Sequence, residues 1–253
     1  MAKRPSMLVV VQEALRRAIL EQALEPGAKL PEDAVGEQFG VSRTIARRAL
    51  ERLAAEELVE IQPNRSASVI RPTLAEAHDL FEVRIDLEDV VVQRLCGRLK
   101  PGSKKRLEAA VAAEDTAYHA RSAEYVRLSA QFHILLAEMT GSPLLSRTLR
   151  HVIWRSAVVL RLYGRPNWDD RGHEHHDLIA LIADGPVSKA RVAMREHLQS
   201  VLTRALDGAK LPSDPTLRDV LSHYAAVTKS APATRARVKE RSRPAREVHD
   251  LTD

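Results

Sequence analysis

Two groups of residues in this chain have the types and the spacing to do chemistry. The first lies between Val41 and Leu53. Read at helical spacing, Ala46, Ala49, Leu50 and Leu53 recur at three- and four-residue steps as a narrow apolar stripe, while Arg43, Arg47 and Arg48 point elsewhere. A helix buried on one side and cationic on the other suits phosphates and base edges. The second group is His133, His175 and His197, each on an apolar helix face. His133 has Val126, Ala130, Leu136 and Ala137 around it; His175 is followed by Leu178, Ile179 and Ile182; His197 follows Ala190, Ala193 and Met194 and precedes Val201. A single buried histidine is ordinarily a satisfied core residue. Imidazoles from three helices that converged in one interior would instead form a transition-metal site.

Other chemistry is weaker or absent. Arg84 has Glu88 one turn on: an ordinary i,i+4 ion pair, or an arginine placed over a cavity to bind a carboxylate. The run from His173 to His176 is not the metalloprotease pattern, which needs its second histidine four residues after the first. No Gly-rich phosphate loop and no nucleophile turn are present.

The elements that must position these residues follow from the punctuation. Ser42 is an N-cap for the arginine helix, and Gly40 closes a preceding short helix, about residues 32–39, with Val35 and Phe39 on its apolar side. Two short helices joined by a tight turn form a helix-turn-helix. After it, residues 58–62 and 67–71 are short, β-branched and roughly alternating, with a turn at 63–66 that carries Arg65. That hairpin is a wing. Upstream, Val11, Leu15, Ala18 and Ile19 make one more amphipathic helix, stopped by Pro26 and Gly27. The spacing predicts a winged helix-turn-helix over residues 9–71.

Beyond Pro72, Thr73 and Glu76 form a capping box, and only helical patterns follow: 74–99, 103–119, 123–140, 143–164, 170–184 and 187–207, with a last one at 215–228. The expected second unit is an all-helical antiparallel bundle over 73–228, followed by a disordered basic tail at 230–253. The chain of 253 residues carries a net charge of +5. The excess is concentrated, since residues 42–53 hold Arg43, Arg47, Arg48 and Arg52 against Glu51 alone. A single cysteine, Cys96, excludes an internal disulfide and a cysteine zinc cluster, and its neighbours Val92 and Leu95 suggest core packing. No signal peptide or membrane-length apolar run is evident, so the expected compartment is the cytoplasm.

These residues together resemble the FCD branch of the GntR family of bacterial transcription regulators, over about residues 11–206. In the first unit the resemblance lies in Pro26, Gly27, Leu30, the run from Gly40 to Thr44, Arg47, Ala49, Leu50, Arg52, Leu53, Leu58 and Val59. In the second it lies in Glu82, Val83, Arg84, Leu87, Glu88, Phe132, His133, the run from Gly141 to Leu145, Glu174, His175 and the run from Met194 to Leu198. The resemblance implies a homodimer, a small organic acid bound in the helical unit, and a divalent metal held by an Asp and three His. The histidine positions fall on His133, His175 and His197, and the metal would be zinc, nickel or manganese. Several positions depart from the pattern. Ser129 replaces the expected Asp, Ile45 a Pro, Arg48 a Glu, Glu57 a Gly, Ser66 the wing-tip Gly, and Asp33 a phosphate-contacting Arg.

The expectation is a mostly α, ligand-responsive transcription factor and not an enzyme. As a homodimer it binds a palindrome in double-stranded DNA. Ser42, Arg43, Thr44, Arg47 and Arg48 contact bases and phosphates, Arg65 is the wing contact, and Arg84 with His133, His175 and His197 holds a small carboxylic acid. No membrane partner is expected. Two alternatives remain: a constitutive DNA-binding protein whose bundle only dimerises, and a metal-dependent hydrolase built on the histidines, which lacks a clear general base.

Overall fold

A computed structural model describes residues 5–63, 65–100, 102–164, 174–206 and 221–222. The described elements are α1 (Met7–Leu20), β1 (Lys29–Leu30), α2 (Glu32–Phe39), α3 (Arg43–Ala55), β2 (Val59–Glu60), β3 (Ala67–Val69), α4 (Leu74–Leu95), α5 (Ser103–His119), α6 (Glu124–Met139), α7 (Pro143–Tyr163), α8 (Glu174–Asp184) and α9 (Val187–Leu206). The fold is mostly α: a winged helix-turn-helix followed by a helical bundle.

Local chemistry explains most boundaries. The Ser42 hydroxyl accepts from the backbone N–H of Ile45, which starts α3, and Gly40 takes the left-handed conformation, φ 63°, that ends α2. Thr73 and Glu76 satisfy each other's backbone N–H groups in a full capping box at the head of α4. The wing pairs β2 with β3 antiparallel, Val59 opposite Val69 and Glu60 opposite Ser68.

Four boundaries differ from the pattern reading. A third strand, β1, pairs on the other side of β3, with Lys29 opposite Ser68 and Leu30 opposite Ala67. Two residues are too few for a period of two to register. The first helix ends at Leu20, well before Pro26. Gln22 turns left-handed, φ 60°, and the amides of Ala23 and Leu24 both donate to the Ala18 carbonyl, which brings the chain back toward β3. α4 stops at Leu95 rather than at 99, because Cys96 is extended, Gly97 is left-handed, and the Gly97 amide donates to the Ile182 carbonyl. The wing strands are also shorter than 58–62 and 67–71. The start of the helix expected at 170, His173, the last helix at 215–228 and the tail at 230–253 fall wholly or mostly outside the described residues.

The N-terminal core is built from residues such as Leu15, Ile19, Leu30, Val35, Leu50 and Leu53. The bundle core gathers Leu107, Phe132, Leu136, Leu149, Ile153 and Ile182, and Cys96 is buried in it. α7 joins the two: Trp154 packs against both cores, and Val158 is buried in the N-terminal one. Charges bridge the same seam. Arg155 on α7 meets Glu57 at 2.8 Å, Arg127 on α6 meets Glu21 at 2.8 Å, Arg161 pairs with Glu25, and the Arg16 guanidinium lies 4.8 Å from the centre of the Trp154 ring. No described helix is long and apolar enough to cross a membrane.

Candidate functional site

The arginine face of α3 is built on its buried stripe. Ala46, Ala49, Leu50 and Leu53 are buried, which turns Arg43, Thr44, Arg47 and Arg48 outward. Arg43 and Arg47 are 68% and 65% exposed, so solvent screens their charges. Each already has an acidic neighbour: Arg43 lies 2.8 Å from Glu32 and 3.6 Å from Asp33, and Arg47 lies 3.0 Å from Glu51. Asp33, which departs from the expected Arg, therefore partly neutralises Arg43 on the exposed face of α3. Exposed pairs of this kind contribute little to stability and can be exchanged for a phosphate. Ser42 is spent on capping α3. On the wing, Arg65 is exposed and donates to Gln62.

The three histidines come together. His133 on α6, His175 on α8 and His197 on α9 are all buried, and their possible ligand atoms lie within 4.8 Å of one another. Each Nδ1 faces a carboxylate: His133 meets Glu88 at 2.5 Å, His175 meets Glu114 at 2.6 Å, and His197 meets Glu174 at 2.6 Å. An ionised carboxylate only accepts, so it selects the tautomer with the proton on Nδ1 and leaves the Nε2 lone pair free. Those lone pairs point at one another, with Nε2 of His197 lying 3.2 Å from that of His175 and 3.3 Å from that of His133.

Burial keeps two of the three rings, His133 and His197, neutral. Burial pushes His133 down to about 4 and His197 down to about 3, against the pull of Glu88 and Glu174. Burial alone would raise the Glu88 carboxyl, but His133 and Arg84 outweigh it and hold the group at about 2. Glu174 is likewise held at about 2, as His197 and Arg204 overcome its burial. Near pH 7 His133 and His197 are therefore neutral, and their facing Nε2 lone pairs repel unless a cation sits between them. Two nitrogens bound to one tetrahedral ion at about 2.0–2.1 Å would stand roughly 3.3 Å apart. The donor set fits a divalent transition ion.

The histidines line one wall of a cavity of about 110 Å³. Arg84 lines it too, and both readings of this residue have support. Its Nε donates to Glu88 at 2.8 Å in a buried pair, while its terminal nitrogens make no hydrogen bond among the described residues. Ser129 lines the cavity one turn before His133 and has no hydrogen-bond partner among the described residues. Sequence reasoning missed Glu114. Its signal was an acid at a buried position in the stripe Leu107, Val111, Glu114, Ala117 of α5. It also missed the pair of Asp115 with His176, 2.8 Å apart at the cavity.

A winged helix with an arginine-bearing third helix, joined to an all-α bundle around a histidine-lined cavity, defines a two-domain transcriptional regulator. The family described as bacterial regulatory proteins, gntR family, matches residues 9–69, and the FCD domain matches residues 79–200. The chain belongs to the GntR family and carries its FCD domain; it is a DNA-binding transcriptional regulator. Among curated proteins it is similar to the Uxu operon regulator of Haemophilus influenzae, 26% identical over 78% of this chain and 81% of the relative. The Nta operon transcriptional regulator of Aminobacter aminovorans is 25% identical over 72% of this chain and 86% of the relative. The uncharacterized HTH-type regulator YdhC of Bacillus subtilis is 26% identical, but the match spans 54% of this chain and 62% of YdhC. Among solved structures, E. coli McbR/YncC shares the fold at a TM-score of 0.70 and 22% identity, covering 79% of this chain and 96% of that one.

Proposed function

We propose that this regulator binds a palindromic operator as a homodimer and that a small carboxylic acid in the bundle cavity modulates the binding. The acid is held by Arg84 and by a divalent zinc, nickel or manganese ion on His133, His175 and His197. One observation carries the reading: three Nε2 lone pairs face one another while all three Nδ1 atoms are occupied by carboxylates. That arrangement has a use when a cation sits between the rings. When bound, the ion would supply a Lewis-acidic seat for a carboxylate oxygen. The chain's own part is to orient the rings through Glu88, Glu114 and Glu174, to keep His133 and His197 unprotonated by burial, and to add the Arg84 charge beside them. Arg43, Thr44, Arg47 and Arg48 read the DNA, with Ser42 fixing their helix and Arg65 touching the backbone from the wing. A palindrome requires two copies in fixed register, and the helical domain is the larger surface for dimerisation.

The test uses the full-length protein. Elemental analysis after purification without chelator should find about one ion per chain, sedimentation should give a dimer, and chelator should lower Tm, with zinc or nickel restoring it. No metal on purification and no change in Tm on adding zinc, nickel or manganese would sink the metal. A constitutive regulator whose bundle only dimerises is the second reading, favoured by Ser129 at the position of the expected carboxylate. It requires operator affinity to be the same with and without every organic acid tried.

A further inference from the structure

We infer that the chain beyond the bundle is a second, sequence-independent DNA-contacting arm, moored on the winged helix by Leu221 and Ser222 and meeting phosphates through the basic stretch 229–246. The inference rests on the DNA-binding role of the winged helix and needs neither the effector nor the metal.

The mooring is the structural observation. The two family domains match residues 9–69 and 79–200, so neither accounts for Leu221. Yet Leu221 is only 1% exposed, and the apolar core that buries it is that of the winged helix, with Val35, Phe39 and Leu50. The next residue, Ser222, accepts through its hydroxyl from the Gln38 side-chain amide at 3.2 Å. Gln38 is the penultimate residue of α2, which leads through the Gly40 turn to Ser42 and the head of α3. In a helix-turn-helix the first helix of the motif crosses the DNA backbone while the next one enters the major groove. The chain leaves the bundle at Leu206 and by residue 222 is back on the DNA-binding unit.

Charge is the second observation. Between Lys229 and Arg246 stand seven Lys or Arg against Glu240 alone, a net charge of +6. The whole chain is +5, so everything outside this stretch carries −1. The arginines of α3 offset little of that, because Arg43 and Arg47 already face Glu32, Asp33 and Glu51. Duplex DNA carries one negative charge per roughly 1.7 Å, and affinity for it without regard to sequence comes from cations that displace its counterions. Distance permits the contact. A chain spans at most about 3.6 Å per residue, so Lys229 stands within about 25 Å of Ser222. That is less than one turn of duplex, about 34–36 Å. Tethering at Gln38 thus raises the local concentration of these cations beside bound DNA.

Fluorescence anisotropy on a mixed-sequence duplex of about 30 bp, over a salt series, compares the full chain with one ending at Thr228, which keeps Leu221. For the shortened chain the slope of log affinity against log salt should be shallower by about 3 or more. Its affinity near about 0.1 M salt should be at least about tenfold weaker. Replacing the seven cations of 229–246 by Gln in the full chain should give the same loss, since charge and not length makes the contact. Leu221→Ala tests the mooring and should lower Tm by at least about 3 °C. Slopes that agree within about 0.5 would overturn the arm, and an unchanged Tm for Leu221→Ala would overturn the mooring on which it depends. Both results leave the homodimer, metal and effector readings standing. A full chain that does not bind the duplex at all would overturn the arm together with the DNA-binding role of the winged helix.

Discussion

The arginine face of α3 and the histidine cavity of the bundle both hold charged groups in pairs, but under opposite conditions. On α3 the pairs are exposed, and losing a partner means only that water takes its place. In the bundle, Arg84, Glu88 and His133 form a chain in which all three are buried, so removing Glu88 strands the Arg84 charge. The first arrangement can trade partners, which reading DNA requires. The second cannot, and it fixes the orientation of the His133 ring. Exchangeable contacts suit a face that takes up and releases a partner, whereas fixed contacts suit a site that holds one geometry.

The sharpest way to break this contrast is Glu88→Ala. It leaves the Arg84 guanidinium buried with no carboxylate and frees the His133 ring, so it should cost about 3–5 kcal/mol in urea unfolding. A loss below about 1 kcal/mol would place the pair in effective contact with solvent. Acid is the next probe. His133 and His197 titrate at about 4 and about 3 in the folded metal-free protein, against about 6.5 when unfolded. The unfolded chain therefore takes up protons first. Stability should be full above pH 6.5 and fall as pH drops toward 3, with Glu88 and Glu174 adding to the loss below about pH 4.5. A urea midpoint that stays level between pH 7 and pH 5 would contradict the neutral-imidazole assignment.

Effects at the exposed face should be smaller on stability and visible mainly on DNA. Arg47→Ala should change unfolding by no more than about 0.5 kcal/mol, yet weaken specific DNA binding by about 1–3 kcal/mol with relaxed base preference. A footprint unchanged at moderate salt would remove Arg47 from the interface. The smallest effect belongs to Glu57, which is left-handed at φ 57° where the family pattern has glycine. Glu57→Gly relieves about 1–2 kcal/mol of backbone cost but gives up the half-exposed pair with Arg155, under about 1 kcal/mol, and adds chain entropy to the unfolded state. The expected net is a gain of a few tenths to about 1 kcal/mol in thermal melts. A net loss would give Arg155 more weight than exposed pairs usually carry.

The same contrast explains what could be read from the chain. The arginine face is contiguous, so cap, stripe and charges appear together within residues 42–53, and the helix runs as their spacing predicts. That His133, His175 and His197 are buried was legible from their apolar neighbours, because periodicity reports which face a residue occupies. The approach of the His197 Nε2 to 3.2–3.3 Å from the other two was not, since it depends on how α6, α8 and α9 cross. Glu114 was passed over because α5 is weakly patterned and an acid breaks its stripe. β1 escaped because its formation depends on β3, not on its own two residues.

α7 belongs to both halves of the molecule. Ile153, Ala157 and Leu160 line the cavity, while Val158 is buried in the core of the winged helix, Trp154 touches both cores, and Arg155 reaches Glu57 at the start of the wing. A helix of 21 residues is stiff, so neither half can loosen its grip on it alone. The consequence is cooperativity in unfolding: the two units should melt in one transition despite their separate cores. Cutting the chain after Pro72 would uncover Val158 and Trp154 together, leaving the severed bundle with a band of bare hydrocarbon and poor solubility.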